Sequence, residues 1–535
     1  MRKNLLVFII LLISVKIQAQ EWQWVTPIKS VVSGETKDNP KTFLWIPSNC
    51  KHVRGVVVGQ HNMLEEGILE HASMRKALTQ LGFAEIWITP GLDITFDFNK
   101  DAGRYFDEMM VSLANISGYS ELAYAPVVPI GHSAYASYPW NFAAWNPERT
   151  LAVISVHGDS PLTKLTGSGK PNPDWGNRTI DGVPSLFVMG EFEWWEDRIS
   201  PGFDYVKKHP KTPITFFADA GHGHFDFSDE LVDYLAMYIS KAAKYRLTVG
   251  VAADKPVVLK PINTANGWLM DRWHKDSLAT AKATPYALYK GKMGTASWCF
   301  DKEQTVLTET YYARARGKKK QYLGFVQDGK IVNPDKSFAN FNMKFSPMAD
   351  GVTFHLKGVY TDSTRVQLVD THPLKINVTV SRICGPVKKI NDTTFQVSFY
   401  RMGFNNPKRT NDIWMLASSK GDEVYKSAIQ QLDMRIPMTN KEGKEQHIVF
   451  PTIPDQKNTI KKVTLNATTD SGMPVYYYVQ QGPVEIKDNQ LVLTGIPPRS
   501  KFPIKVTVVA WQYGRNIDPK LKTAEPVVRS FMILK

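Results

Sequence analysis

The chain has 535 residues, 43% of them hydrophobic and 22% charged, the composition of a globular protein large enough for two to four domains. Lys and Arg outnumber Asp and Glu by 65 to 51, an excess too diffuse for a histone-like protein. Three widely spaced cysteines, Cys50, Cys299 and Cys384, form no CxxC pair and exclude a disulfide scaffold or a cysteine-rich zinc module.

The N-terminus has a basic start, Arg2-Lys3, an apolar run LLVFIILLISV and small residues near Ala19 and Gln20. This predicts a signal peptide over residues 1–20 cleaved near that point, because the run is shorter than the ~20 residues needed to span a bilayer. Nothing later in the chain is apolar enough to cross one. The expectation is a secreted or periplasmic protein with no membrane span, and few cysteines suit a bacterial envelope.

Residues 21–247 alternate short β-branched runs with helical stretches: GVVVG (55–59), EIWI (85–88), APVVPI (125–130), LAVISV (151–156), PSLFVM (184–189) and PITFFA (213–218). That pattern predicts an α/β domain with a mostly parallel sheet and helices on both faces. Residues 248–456 read as a β-rich domain of one or two modules, from GVTFHLKGVY, LKINVTVSRI and TFQVSFYRMG. Residues 457–535 read as an Ig-like β-sandwich. Charge divides at the same point: residues 21–247 hold 20 Lys+Arg against 27 Asp+Glu, and residues 248–535 hold 42 against 24. The densest basic cluster is Arg314, Arg316, Lys318, Lys319 and Lys320, which reads as a docking face for an anionic polymer or as a solvated loop. No nucleic-acid motif accompanies it, so no nucleic-acid partner is expected.

The sharpest chemical signal is APVVPIGHSAYA, an apolar strand that runs into Gly131-His132-Ser133-Ala134-Tyr135 and then a helix. A tight strand-to-helix turn lifts a serine hydroxyl above the sheet and offers the next backbone N–H, that of Ala134, to a developing oxyanion. Tyr135 stands where the G-x-S-x-G pattern has its last glycine. A serine needs a base, and the last strand of the alternating region leads into Gly221-His222-Gly223-His224-Phe225-Asp226. His224, nearer the start of the final helix, is favoured over His222. The base needs an orienting carboxylate, and PSLFVMG leads into Glu191, Glu193, Glu196 and Asp197. Spacing favours Glu193, with Glu191 next. His222-Gly-His224-Phe-Asp226 also approaches a zinc-ligand run, but its sixth position is Phe227, so no metal is expected.

The order Ser133, Glu193, His224, with the strand alternation and the GHSAYA, VMGEFE and GHGHFDF loops, resembles the α/β-hydrolase superfamily over roughly residues 50–245. The resemblance implies ester hydrolysis through a covalent acyl-enzyme without cofactor: Ser133 as nucleophile, His224 as base and acid, Glu193 as orienting carboxylate. It also implies a second oxyanion donor after an early strand, where Gln60-His61-Asn62 stands in GVVVGQHNM and His61 is the candidate. The multidomain layout is similar to that of carbohydrate esterases secreted by polysaccharide-degrading bacteria, which implies an esterified polysaccharide partner, and the net +18 of residues 248–535 favours an acidic polymer. Trp140, Trp145, Trp194, Trp195 and Tyr135 lie near the elbow and acid loop, where flat rings stack on sugar faces or pack a core. A polysaccharide-binding protein with a decayed hydrolase domain is the main competing reading. A serine peptidase is the other, although no propeller repeat is visible.

Overall fold

The computed structural model describes residues 21–164, 166–193, 196–248, 255–369 and 377–535. The expected leader, residues 1–20, lies outside them.

An eight-stranded sheet organises the N-terminal half: β1 (Trp24–Pro27), β2 (Lys41–Trp45), β3 (Gly55–Gln60), β4 (Phe83–Thr89), β5 (Val127–His132), β6 (Val153–Val156), β7 (Ser185–Gly190) and β8 (Ile214–Asp219). Its order is β1-β2-β4-β3-β5-β6-β7-β8. β3 to β8 run parallel, while β1 and β2 pair antiparallel at one edge. Each of the six parallel strands overlaps one of the runs read from the sequence. Those strands are buried along their whole length, which is why they read as unbroken apolar runs. β1 and β2 were not apparent in the sequence, being short and rich in Trp, Thr and Lys.

Helices α1 (Glu65–Leu69), α2 (Ala72–Leu81), α3 (Ala102–Ser117), α4 (Tyr138–Trp145), α5 (Glu196–Lys208) and α6 (Asp229–Arg246) cover the sheet. Phe106, Met109, Leu113, Phe142 and Phe203 of α3, α4 and α5 join one apolar layer, and Ile68, Met74, Leu78, Leu231 and Leu235 of α1, α2 and α6 join the other. The start of α6 shows the local chemistry: Ser228 Oγ accepts from the Leu231 N–H at 3.0 Å, Asp229 and Glu230 sit in the first turn, and Lys244 and Arg246 in the last.

The later part of the chain consists of small, mostly antiparallel sheets. Residues 264–313 cover the outer edge of β8: Ser297 Oγ accepts from Phe216 N at 2.9 Å, Thr215 Oγ1 donates to Trp298 O at 2.6 Å, and Ala218 N donates to Tyr312 Oη at 3.1 Å. Tyr312 belongs to α7 (Lys302–Ala313), a helix inside the stretch read as β-rich. Covering β8 removes an edge that would otherwise be open to pairing with another chain. A second core, with Phe325, Phe354, Ile413, Met415 and Leu432, fills the middle module. In the C-terminal module a four-stranded sheet, which includes Ile504–Trp511 and Val527–Leu534, packs through Val506, Phe531 and Ile533 with a three-stranded one. All three cysteines are free.

Buried ion pairs join the middle module to α1 and its C-terminal cap. Arg401 pairs with Glu66, and with Glu70 at 2.6 Å, while its guanidinium lies 5.8 Å from the rings of Trp22 and Trp87. Arg382 reaches Glu66 at 3.3 Å. Two cavities of about 420 and 510 Å³ border Arg401, and neither is lined by Ser133. Removing one partner of a buried pair leaves the other charge desolvated, so Arg401→Ala should lower stability by about 3–5 kcal/mol. Urea denaturation followed by tryptophan fluorescence reads this directly.

Candidate active site

The elbow sits where β5 ends. Ser133 has φ +52°, a left-handed conformation that costs a non-glycine residue free energy and places its side chain on a sharp turn. Tyr135 is accommodated in place of the pattern's last glycine because Gly91 faces it: a Cβ there would come within 2.1 Å of the Tyr135 hydroxyl. The small contact that the glycine would have made falls one residue later, where Ala136 Cβ lies 1.9 Å from the position a Cβ on Gly158 would take. Ser133 and Ala134 are half-buried and Tyr135 is buried. The turn Ser133–Tyr135 starts without a side-chain cap, which leaves the Ala134 N–H as the donor it offers.

His224 Nε2 lies 2.7 Å from Ser133 Oγ. Its Nδ1 bonds Glu193 Oε2, and Glu193 Oε1 accepts from the Gly190 N–H at 3.0 Å. The structure therefore brings Ser133, His224 and Glu193 into one hydrogen-bonded line at the carboxyl ends of β5, β7 and β8, where open parallel sheets build their sites. Burial opposes the charge on Glu193, but His157 and His224 outweigh it and hold the carboxyl well below the usual range.

Strand order, elbow position and these loops together define the architecture. The N-terminal half has the α/β-hydrolase fold. No family model matches the chain, and no curated protein matches it. Solved structures similar to its N-terminal part include a dienelactone hydrolase from Anabaena variabilis (18% identity, 42% of this chain and 98% of that chain, TM-score 0.28). Others are an S-formylglutathione hydrolase from Agrobacterium tumefaciens (13%, 41% and 92%, 0.29) and an acetyl xylan esterase from Aspergillus awamori (15%, 35% and 79%, 0.25).

Several residues singled out in the sequence lie elsewhere. Glu191 is not beside His224: its Oε1 meets Lys426 Nζ at 2.6 Å and its Oε2 accepts from Gly221 N, so it ties the acid loop to the middle module. Glu196 pairs with Arg272 at 2.6 Å. His222 Nδ1 lies 2.5 Å from Asp226 Oδ2, whereas His224 turns to Ser133 and Glu193, so the HGHFD run is divided between two sets of partners. His61 cannot serve as an oxyanion donor through its backbone, because its N–H donates to Ile88 O at 2.8 Å and its imidazole is buried against Thr89. The Asn62 and Met63 N–H groups are also engaged, both on Glu65 Oε2 at 3.1 Å. Trp140 is a core residue whose Nε1 donates to Asp159 O at 2.7 Å, and Trp145 packs among Phe96, Phe106 and Phe142. Trp194 and Trp195 lie outside the described residues. Of the basic cluster, Arg316 pairs with Glu309 at 3.0 Å, Lys318 donates to Asp422 O at 2.6 Å, and Lys320 lies 5.3 Å from the ring of Phe192, next to Glu193.

The structure also gives partners to residues that the sequence reading left without a role. His132 Nε2 donates to the His224 carbonyl at 2.8 Å, and burial holds that imidazole neutral, well below its ordinary range. Glu65 Oε1 accepts from the His132 N–H at 2.8 Å, so one carboxylate holds both the elbow and the loop after β3. Burial raises Glu65 to about 7. Buried Asp159 binds Ser137 Oγ at 2.5 Å, the Gly167 N–H at 3.0 Å and Arg198. The signal that would have found Glu65 was a carboxylate inside the apolar face of a helix start.

His222 gives a pH test. Burial lowers its affinity for a proton, but Asp219 and Asp226 raise it to about 9. A raised folded value stabilises the fold fully below the unfolded value near 6.5, and that contribution is lost as pH rises through about 9. Wild type should therefore lose more thermal stability between pH 6.5 and 9 than His222→Gln. For the acid loop, Lys426→Met should lower stability by about 3–5 kcal/mol through the stranded Glu191, in the same urea titration.

Proposed function

We propose that the protein is an exported serine esterase that hydrolyses acyl esters of a polysaccharide. The observation that carries the catalytic reading is the line Ser133 Oγ, His224, Glu193, with 2.7 Å between hydroxyl and imidazole, on a serine held at φ +52°. Ser133 Oγ attacks the ester carbonyl carbon as His224 Nε2 takes its proton, and the tetrahedral oxyanion develops beside the Ala134 N–H. His224 returns the proton to the departing alcohol oxygen, which leaves an acyl group on Ser133. Water then attacks that acyl carbon, again through His224, and frees the acid. Glu193 orients the imidazole and stabilises its cation throughout. No step calls for a cofactor.

The polysaccharide reading draws support from the sequence's signal-peptide pattern, from the charge division between the two parts of the chain, and from the position of Lys320 beside the acid loop. An acidic polymer suits the net +18 of residues 248–535.

The test is initial-rate hydrolysis of an aryl acetate and a feruloyl ester by the mature protein, with and without chelator. Turnover should survive chelator and fall by at least about 10⁴-fold in Ser133→Ala. Equal turnover by that variant would remove the serine mechanism. On esterified pectin, kcat/KM should fall with added salt more steeply than on the aryl acetate. Equal salt dependence would remove the acidic polymer.

A further inference from the structure

Behind the Ser133–His224–Glu193 line lies a second imidazole that the proposed reaction does not use. His157 follows β6, is fully buried, and has φ +47°, a conformation rare outside glycine. Its N–H donates to Val188 O at 2.9 Å, which anchors the backbone between β6 and β7. Its Nδ1 lies 2.6 Å from Glu193 Oε1, the oxygen that does not face His224, and its Nε2 lies 3.3 Å from Asp219 Oδ2 at the end of β8.

The other groups around it come from every neighbouring element. His132, at the end of β5, and His224 have ring centroids 6.1 and 6.3 Å away. His222 interacts with both Asp219 and His157 and is itself paired with Asp226, while Tyr311 of α7 donates to Asp219.

Both carboxylates lie within ion-pair distance of the ring, without the alignment of a hydrogen bond, so what favours a proton on His157 is the charge of two anions beside it in a buried site. Burial opposes that cation, but Glu193 and then Asp219 hold His157 well above its ordinary range. We propose that His157 is a positioning residue of the hydrolytic site, a buried imidazolium that clamps Glu193 between itself and His224. The inference rests on the serine-hydrolase reading above.

The arrangement has two effects. With the Gly190 N–H it occupies Oε1 of Glu193, leaving Oε2 aimed at His224. It also cancels part of the carboxylate's charge as seen from His224. An uncompensated Glu193 would hold a proton on His224 more tightly and leave less free base in acid solution.

The experiment combines kinetics with nitrogen NMR of the full-length protein labelled with ¹⁵N-histidine. In wild type at pH 8, one imidazole beyond that of His222 should show both nitrogens protonated, and this signal should vanish in His157→Gln while the His222 signal vanishes in His222→Gln. In His157→Gln, kcat on an aryl acetate should fall about tenfold or more, and the acid limb of kcat/KM should move up by about one pH unit. A lower rate with an unmoved limb would mean a packing role and overturn the proposal, as would a singly protonated His157 in wild type. If His157→Gln does not fold, the wild-type spectrum decides alone. If wild type hydrolyses no ester and Ser133 resists a fluorophosphonate, the hydrolase reading fails, and the spectrum still accepts or rejects the clamp.

Discussion

Buried carboxylates set the terms on which this structure is built. A carboxylate taken out of water must be paired, hydrogen-bonded or neutralised, and the cost of leaving it alone exceeds that of most single contacts. Around the carboxyl edge of the sheet, Glu65, Glu66, Glu70, Asp159, Glu191, Glu193, Asp219 and Asp226 are all buried. Each is answered in a way that fixes a loop. Glu65 takes three backbone N–H groups and holds the elbow to the loop after β3. Asp159 gathers Ser137, Gly167 and Arg198. Glu193 lies between two imidazoles. The carboxylate beside His224 and the carboxylates that hold the scaffold are buried at the same edge of the sheet.

Several of the answering cations come from the later modules. Lys426 meets Glu191 at the acid loop, Arg401 and Arg382 meet Glu66 at α1, and Arg409 donates to Asn62 O at 2.6 Å. The histidine loop rests on the same module. A Cβ on Gly221 would fall 2.3 Å from Ser427 Oγ, a Cβ on Gly223 would fall 3.4 Å from Ile429, and Phe225 packs against Trp414 with ring centroids 5.2 Å apart. The middle module thus supports the three loops around Ser133, beyond any part it plays in holding a polymer. The basic excess of residues 248–535 acquires a structural meaning here, since part of it neutralises the acidic excess of residues 21–247 across their shared surface.

The strain at Ser133 and His157 fits this picture. Both hold φ near +50° at the ends of adjacent parallel strands, β5 and β6. Such conformations persist only where surrounding contacts over-determine them, and both residues are enclosed by the charge network just described. Tyr135 shows the same logic in packing: a bulky residue in a glycine position is tolerated because Gly91 makes room on one side and Gly158 receives Ala136 on the other.

What the sequence determined by itself was local. The parallel strands were legible because burial on both faces leaves unbroken apolar runs, and the elbow because strand, small residues and helix are contiguous in the chain. Candidate partners for Ser133 could be drawn from the loops after β7 and β8 because this topology brings those strand ends to one edge. The choice between Glu193 and Glu191, two residues apart in an acidic loop, depended on Lys426, 235 residues from Glu191. β1 and β2 escaped notice because short antiparallel edge strands carry mixed polar and apolar residues. His61 failed as an oxyanion donor because its N–H is spent on β4, a pairing that register alone decides. His157 carries no motif, since its two carboxylate neighbours lie one just beyond β7 and one at the end of β8. Contiguous patterns report local backbone geometry and burial, whereas the pairing of buried charges over hundreds of residues exists only once the chain has folded.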